Sequence, residues 1–225
     1  MRNILVQGLE EINNDLIDMG AQIEISINKA LTALKEGDAE LALSVKSYSA
    51  RVDELERTIE RTCMQVLVSQ QPVARDLRLI SVALKLITDM RRISDQTWDI
   101  ATIIVSTIEN DFERKPELVE DMFKKTIAMV NQSVDAFVNR DRKMAMSIIE
   151  ADDDVDDLFI AVRDELIDII NQDKKAGEQC IDYIMMAKYL ERIADHAVNI
   201  AALIIYFVTG KHYNFKKAQI GEEDV

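Results

Sequence analysis

An eleven-residue stretch near the end of the chain has a close copy 100 positions earlier, and this duplication limits the folds that the chain can adopt. Residues 191–201 read ERIADHAVNIA, and residues 91–101 read RRISDQTWDIA. Both contain the pattern Arg-Ile-x-Asp-x-x-x-(Asn/Asp)-Ile-Ala. A repeated pattern of this kind indicates two structural units of similar shape in tandem.

The duplication extends beyond these two stretches. The pattern Val-Asp-x-Leu stands at 52–55 and again at 155–158, and Asp38 aligns with Asp141. The two copies are 103 residues apart in this part of the chain and 100 residues apart at the later stretches. The second copy has therefore lost three residues, which we place in a turn, where losses are tolerated.

Long helices are predicted along the whole chain. Six Gly and two Pro among 225 residues are too few for a β-rich protein, and apolar residues recur at helical spacing between widely separated breaks. The predicted helices cover about 3–35, 39–69, 74–109, 117–138, 142–171 and 178–209. Gly20 lies inside the first, where we expect close packing or a slight bend.

The predicted fold is all-α, with two tandem, homologous three-helix bundles and six long helices. The first bundle covers 1–113, the second covers 114–212, and a C-terminal tail covers 213–225. Asp38 and Asp141 are predicted to cap the helices that follow them, because an Asp side chain accepts from free amides at a helix start.

Composition and charge exclude several classes of protein. A net charge of −14 opposes a sequence-independent hold on nucleic acid, which needs a basic surface. Two cysteines do not make a disulfide framework. The N-terminus lacks a signal peptide, and the longest apolar run, 200–208, falls short of the roughly 20 residues that cross a membrane. We expect a cytoplasmic protein.

Acidic residues form two rows on the third helix of each repeat. Residues four apart share a helix face, so Glu191, Asp195 and Asn199 form one row, and Asp95 and Asp99 form another. The aligned acids of the second helices are predicted to face these rows. The candidate metal-binding residues are Glu191, Asp195, Asn199, Asp156 and Asp152 in the second repeat, and Asp95, Asp99 and Asp53 in the first.

Oxygen ligands of this kind suit Mg, Ca, Mn or Fe. Structural Zn is disfavoured because the chain has no Cys or His cluster, although Zn stays among the possible divalent ions. Solvated acids, or acids paired with arginine, are the alternative. Arg92 and Arg192 recur in equivalent places, either to orient the acids or as ordinary ion pairs within the bundles. His196 points away from Asp195 and is predicted to lie at a surface or interface.

No arrangement of residues predicts catalysis. The sequence offers no nucleophile with a neighbouring base and no Gly-rich loop that would bind phosphate. A di-iron oxidase would need a Glu-x-x-His motif on each of two helices, and neither histidine has an acid three positions before it. We therefore expect that the chain is not an enzyme.

The combined motifs resemble the PhoU family, the accessory and regulatory proteins of bacterial and archaeal phosphate uptake. The duplicated Arg-Ile-x-Asp rows, the Val-Asp-x-Leu pair and the hinge QQPVARDLR at 70–78 carry the resemblance, which spans about 3–207. It implies two similar three-helix bundles that bind iron or other divalent ions at Glu/Asp-x-x-x-Asp motifs. That motif maps onto Glu191 and Asp195. In the first repeat Arg91 stands in place of the first acid.

The resemblance also implies a function. Family members are thought to link the ATPase subunit of the phosphate transporter to a membrane sensor histidine kinase, which holds the starvation response off and limits uptake. The expected protein is a non-enzymatic negative regulator that reaches the membrane only through its partners and binds no nucleic acid. Long amphipathic helices make a homodimer plausible. The alternative is a carboxylate-bridged helical bundle that acts as a metal store or metalloenzyme.

Overall fold

Seven α-helices make up the described part of the chain. The computed structural model describes residues 2–73, 75–109 and 116–214, and no strand occurs within those ranges. The helices are α1 (Arg2–Glu36), α2 (Ala39–Gln70), α3 (Arg75–Glu109), α4 (Leu118–Asn139), α5 (Arg142–Glu150), α6 (Asp152–Gln172) and α7 (Gly177–Thr209). The all-α prediction is confirmed.

The fifth predicted helix is divided at Ala151 into α5 and α6. Ala151 keeps right-handed helical angles, with φ −74° and ψ −12°, and its amide donates to the carbonyl of Ser147 at 3.1 Å. The chain therefore passes from α5 to α6 without a loop, and the pair fills the place of one long helix. Each repeat has its three predicted helical segments, α1 to α3 and α4 to α7.

Two helix starts are capped as the sequence predicts. Asp38 accepts from the amide of Leu41 at 2.9 Å. Asp141 accepts from the amides of Lys143 and Met144 at 2.8 and 3.1 Å. The residue before Asp141, Arg140, adopts a left-handed φ of 53°. This conformation costs free energy for a residue with a Cβ.

The third helices of the two repeats, α3 and α7, pack side by side in opposite directions. Residues later in α3 pair with residues earlier in α7. The pairs are Arg78 Nη1 to the Phe207 carbonyl at 3.4 Å, Asp89 to His196 at 2.8 Å, and Ser106 to Asp182 at 3.2 Å. We call this contact between α3 and α7 the central seam.

The end of α7 requires a glycine where it meets the hinge. Gly210 has a φ of 77°, which an L side chain rarely adopts. A Cβ built there would lie 2.9 Å from the guanidinium nitrogens of Arg78. Arg78 also lies 5.8 Å from the ring centre of Tyr206, so the hinge of the first repeat holds the end of the second.

A second contact between the bundles is made by the first helix of each repeat, α1 and α4. Gly20 of α1 faces Val134 of α4 so closely that a Cβ on Gly20 would lie 2.8 and 2.9 Å from its two methyl carbons. One turn further along α1, Glu24 accepts from the side-chain amide of Asn131 at 3.2 Å. The close packing expected at Gly20 is therefore present, and it occurs between the two bundles.

One segment of the described chain, 174–209, is long and apolar enough by length and composition to cross a membrane. It contains α7, and half of its most apolar stretch is buried inside the protein. The buried residues of α7 run from Cys180 to Phe207 and belong to the core. The apolar character of α7 is that of a core helix packed on both sides.

The predicted division between the bundles, at residues 113 and 114, lies outside the described residues. Of the predicted tail, 213–225, only Tyr213 and Asn214 are described.

Gly20→Ala tests the contact between the bundles. We expect the free energy of unfolding to fall by about 1 kcal/mol, because overpacking a tight contact costs roughly 1–3 kcal/mol and the better helix former returns up to about 1 kcal/mol. Urea unfolding measures the change. Gly177→Ala is the control, since a Cβ there meets nothing within 4 Å. Adding Val134→Ala should reduce the cost of Gly20→Ala, and additive effects of the two changes would contradict the contact.

Candidate metal centre

Four carboxylates from α6 and α7 gather at one edge of the second bundle. Asp152 and Asp156 stand one turn apart on α6, and Glu191 and Asp195 stand one turn apart on α7. Burial, followed by the carboxylates of Asp156 and Asp195, raises the pKa of Asp152 from 3.8 to about 6. We call these four residues the second acidic cluster.

The other members of the second acidic cluster repel each other in the same way. Burial and then the carboxylate of Glu191 raise the pKa of Asp156. Burial and then Glu191 and Asp156 raise the pKa of Asp195. The ionised forms are thus disfavoured at three neighbouring positions, as expected where acids lie close together with too little positive charge among them.

Lys188 supplies the positive charge that the second acidic cluster contains. Its ammonium pairs with the carboxylate of Glu191, one turn along α7, and lies 5.3 Å from the ring centre of Phe159 on α6. Its charge lowers the pKa values of both Asp156 and Asp195, against the stronger effect of burial. Sequence reasoning missed Lys188, although its place three residues before Glu191 puts it on the same face.

A first acidic cluster lies between α2 and α3, and it contains an arginine. The Nε of Arg91 lies 3.4 Å from Oε2 of Glu56, and its Nη1 lies 2.9 Å from Oδ2 of Asp95. Burial raises the pKa of Glu56, Arg91 lowers it, and Asp53 and Asp95 raise it further. Burial and then Asp95 raise the pKa of Asp99. Asp53 and Asp95 are therefore neighbours of Glu56, and Asp99 is a neighbour of Asp95.

The sequence prediction omitted Glu56, which completes the first acidic cluster. It stands three residues after Asp53 and so shares its face of α2. In the duplication Glu56 aligns with Phe159, and Arg91 aligns with Glu191. The first cluster thus has an acid where the second has an aromatic ring, and a cation where the second has an acid.

Asn199, one turn after Asp195 on α7, is exposed at the central seam. It lines a groove on the central seam, together with Leu84, Thr88 and Asp89 of α3. His196 lies at the same interface, where its Nδ1 is 2.8 Å from Oδ1 of Asp89. The prediction that His196 is an interface residue agrees with this position.

The two recurring arginines do not orient the acids. Arg92 and Arg192 are exposed, and neither forms a salt bridge within the described chain. Arg192 lies 5.8 Å from the ring centre of Tyr189 instead.

Comparison with known proteins identifies the family. The PhoU domain model matches residues 16–104 and 119–204, once in each repeat. The chain belongs to the PhoU family. The match confirms two tandem copies of one unit, and the resemblance suggested by the sequence motifs is correct.

Individual PhoU proteins are similar over most of the chain. A protein of Clostridium acetobutylicum named "Phosphate-specific transport system accessory protein PhoU homolog" is 33% identical over 214 residues, covering 93% of this chain and 96% of that protein. The corresponding protein of Escherichia coli K12 is 30% identical over 205 residues, covering 91% and 85%.

Two solved PhoU structures share the fold. The crystal structure of PhoU from Pseudomonas aeruginosa superposes with a TM-score of 0.88 at 32% identity, covering 91% of this chain and 99% of that one. The phosphate transport system regulatory protein PhoU from Streptococcus pneumoniae gives 0.85 at 25% identity, covering 94% and 100%.

The metal that the family resemblance implies can be compared with the residues of this PhoU-family chain. As placed, no three His, Cys, Asp or Glu side chains of the described residues stand close enough together to hold one ion. Carboxylate oxygens are the donors that hard cations prefer, and the second acidic cluster supplies them from two helices, but its side chains are not gathered around one point. The first acidic cluster fits poorly, because Arg91 already occupies two of its carboxylates.

Asp152→Asn tests the repulsion in the second acidic cluster. Because the pKa of Asp152 is raised on folding, the folded chain keeps a proton that the unfolded chain has lost, and stability falls as pH rises from about 4 to about 6. In buffer with a chelator, we expect Asp152→Asn to raise the free energy of unfolding by about 1 kcal/mol at pH 7.5, after allowance for solvent screening and the lost charge at a helix start.

The same comparison at pH 4 should show almost no difference between the two proteins. Asp153→Asn, in the same turn of α6, is the matched control. A loss of stability at pH 7.5 on Asp152→Asn would contradict the interpretation.

Proposed function

We propose that this chain is a non-enzymatic accessory protein of phosphate transport, which limits phosphate uptake and holds phosphate-starvation signalling off through contacts with other proteins. The observation that carries the proposal is the family match in both repeats, together with relatives named as accessory proteins that align over more than nine-tenths of the chain. A regulatory protein needs surfaces for partners more than it needs a reactive centre.

The proposed partners are the ATPase subunit of the phosphate transporter and the membrane sensor histidine kinase of the phosphate response. Both would be met in the cytoplasm, so that the chain reaches the membrane only through them. Exposed apolar side chains around the hinge support a docking role. Val68 and Val73 are 81% and 73% exposed, and Leu77 follows on α3. Exposed apolar groups in one place often mark protein contacts.

The state of the nucleophilic side chains supports a role other than catalysis. Cys63 and Cys180 are buried, and burial raises the pKa of Cys63 to about 11, which disfavours the reactive thiolate. His196 is engaged with Asp89, and His212 stacks on Tyr206 at 4.0 Å between ring centres.

A divalent or iron ion is the proposed ligand of the second acidic cluster, with Asp152, Asp156, Glu191 and Asp195 as its donors. Such an ion would lie among carboxylates whose neighbours raise the pKa values of Asp152, Asp156 and Asp195, and it would join α6 to α7. Mg, Ca, Mn and Fe all suit a set of oxygen donors.

A homodimer is also proposed. Large apolar side chains are exposed on two neighbouring helices of the second bundle, namely Ile160 and Ile167 on α6 and Ile181 and Met185 on α7. A second copy of the chain would bury them. Light scattering coupled to gel filtration gives the mass directly, and a monomer at micromolar concentration would oppose this part of the proposal.

Deletion of the gene in its host tests the regulatory function. With phosphate in excess, we expect a reporter of the phosphate-starvation response to switch on and cellular phosphate to rise, and the wild-type gene to reverse both. A reporter that stays off and unchanged phosphate uptake would contradict the proposal.

The docking role of the hinge is tested with the purified ATPase subunit of the phosphate transporter. Val68→Asp with Val73→Asp should weaken binding by about tenfold or more, because charges replace exposed apolar contacts. Leu43→Asp is the matched control, since Leu43 is 51% exposed at the other end of α2. Equal loss of binding in both variants would point to a different surface.

A further inference from the structure

We propose that the groove on the central seam binds residues 215–225 of the same chain, and that the acids at 222–224 pair there with Arg92 and Arg192. These residues follow Asn214, the last residue that the structure describes. The inference goes beyond the proposed function and does not depend on the metal proposed for the second acidic cluster.

The groove lies between α3 and α7, and we call it the seam groove. Its lining combines polar and apolar side chains, among them Leu84, Lys85 and Thr88 of α3, Asn199 and Leu203 of α7, and Tyr213, which follows α7. A mixed lining of this kind suits an extended peptide, which presents apolar side chains together with polar backbone groups.

The end of α7 directs the chain into the seam groove. Gly210 has a left-handed φ of 77°, and its amide donates to the carbonyl of Tyr206 at 2.8 Å. The ring of His212 then stacks on the ring of Tyr206, with 4.0 Å between the ring centres and 4° between the ring planes. Tyr213 packs against the core and lines the groove. The chain therefore turns back over α7 after Gly210 and reaches the groove at Tyr213.

Two arginines continue the walls of the seam groove along both helices. Arg92 stands four residues after Thr88 on α3, and Arg192 stands seven residues before Asn199 on α7. Residues four or seven apart share a helix face. Each arginine therefore lies on the face that its helix turns to the groove.

Both arginines lie at the same level of the central seam. Asp89 of α3 contacts His196 of α7 at 2.8 Å, and each arginine stands one turn beyond this pair, on the side away from Tyr213. Both are exposed, and neither forms a salt bridge with a described residue. The groove thus leads from Tyr213 to two guanidinium groups that lack a carboxylate partner among the described residues.

The order of residues in 215–225, which read FKKAQIGEEDV, complements the groove. Phe215, Ala218 and Ile220 supply apolar side chains first, and three acids follow at 222–224. Carboxylates pair with guanidinium groups through charge-assisted hydrogen bonds. The acids therefore match the arginines at the far end of the groove.

The segment is also long enough. Glu222 stands nine residues after Tyr213, which gives an extended reach of about 30 Å. Leu203, which lines the groove with Tyr213, is eleven residues from Arg192 along α7, or about 16 Å. A segment bound in this way would cover both arginines, and an acidic partner could reach them only by displacing it.

Thiol labelling of the full-length Thr88→Cys variant tests the inference, because Thr88 lines the groove and is exposed on the described surface. The native Cys63 and Cys180 are buried and give the baseline. A chain that stops after Asn214 should label about fivefold faster at position 88, since a few exposed ion pairs and apolar contacts give modest protection. Equal labelling rates with and without 215–225 would overturn the inference.

Thr32→Cys is the matched control on α1. Thr32 is exposed on a helix and donates to the carbonyl four residues before it, as Thr88 does. Its labelling rate should not change when 215–225 is removed, and a change as large as that at position 88 would overturn binding in the groove. Far-ultraviolet circular dichroism verifies that each variant is folded.

Reversal of charge tests the pairing of acids with arginines. Glu222→Lys with Glu223→Lys and Asp224→Lys should speed labelling at position 88 about as much as the deletion does, and so should Arg92→Glu with Arg192→Glu. The two sets combined should restore protection, because opposite charges face each other again. Labelling that stays slow after either reversal would overturn the pairing.

Protein concentration separates the chain's own segment from that of a second copy. We expect a labelling rate that does not depend on concentration, as for any contact within one chain. Slower labelling at higher concentration would assign the groove to a second copy and overturn the inference.

Trypsin cleavage after Lys216 and Lys217 gives a second measurement on the unsubstituted chain. Cleavage in the full-length protein should be slower than in a free peptide of residues 211–225, because binding in the groove withdraws the segment from the protease. Equal cleavage rates would contradict binding.

Discussion

The antiparallel packing of α3 against α7 is the contact on which the rest of the structure depends. The contact runs along most of both helices. Arg78, near the start of α3, reaches the end of α7, and Ser106, near the end of α3, reaches Asp182 near the start of α7. Because each third helix also packs against the other helices of its own bundle, most of its surface is buried. The acidic rows lie on the part of each third helix that is not covered by these contacts. There they face the second helical segment of the same repeat, at the border of the core.

Because of the duplication, the two acidic clusters occupy equivalent positions in the two repeats, but their side chains differ in chemistry. Their acids are held by equivalent helices, yet Arg91 replaces an acid in one and Lys188 joins the other from a neighbouring turn. A half-buried group of carboxylates is unstable without a cation. Each repeat carries a cation of its own, Arg91 in the first and Lys188 in the second.

The helices, the caps at Asp38 and Asp141 and the pairing of acids across helices could be predicted from the sequence, because all three follow from local spacing and from the alignment of the repeats. The division at Ala151 could not, since no Pro or Gly marks it. Lys188 and Glu56 do not follow from the pattern of acids four residues apart, because each stands three residues from an acid of its cluster. The place of Asn199 depends on the central seam, which no pattern within one helix reveals.

The most direct test of the account is a crystal structure of the protein grown with Mn²⁺, with anomalous scattering used to locate the ions. The account predicts an ion held by Asp152, Asp156, Glu191 and Asp195. No ion among these four side chains at saturating Mn²⁺ would contradict it.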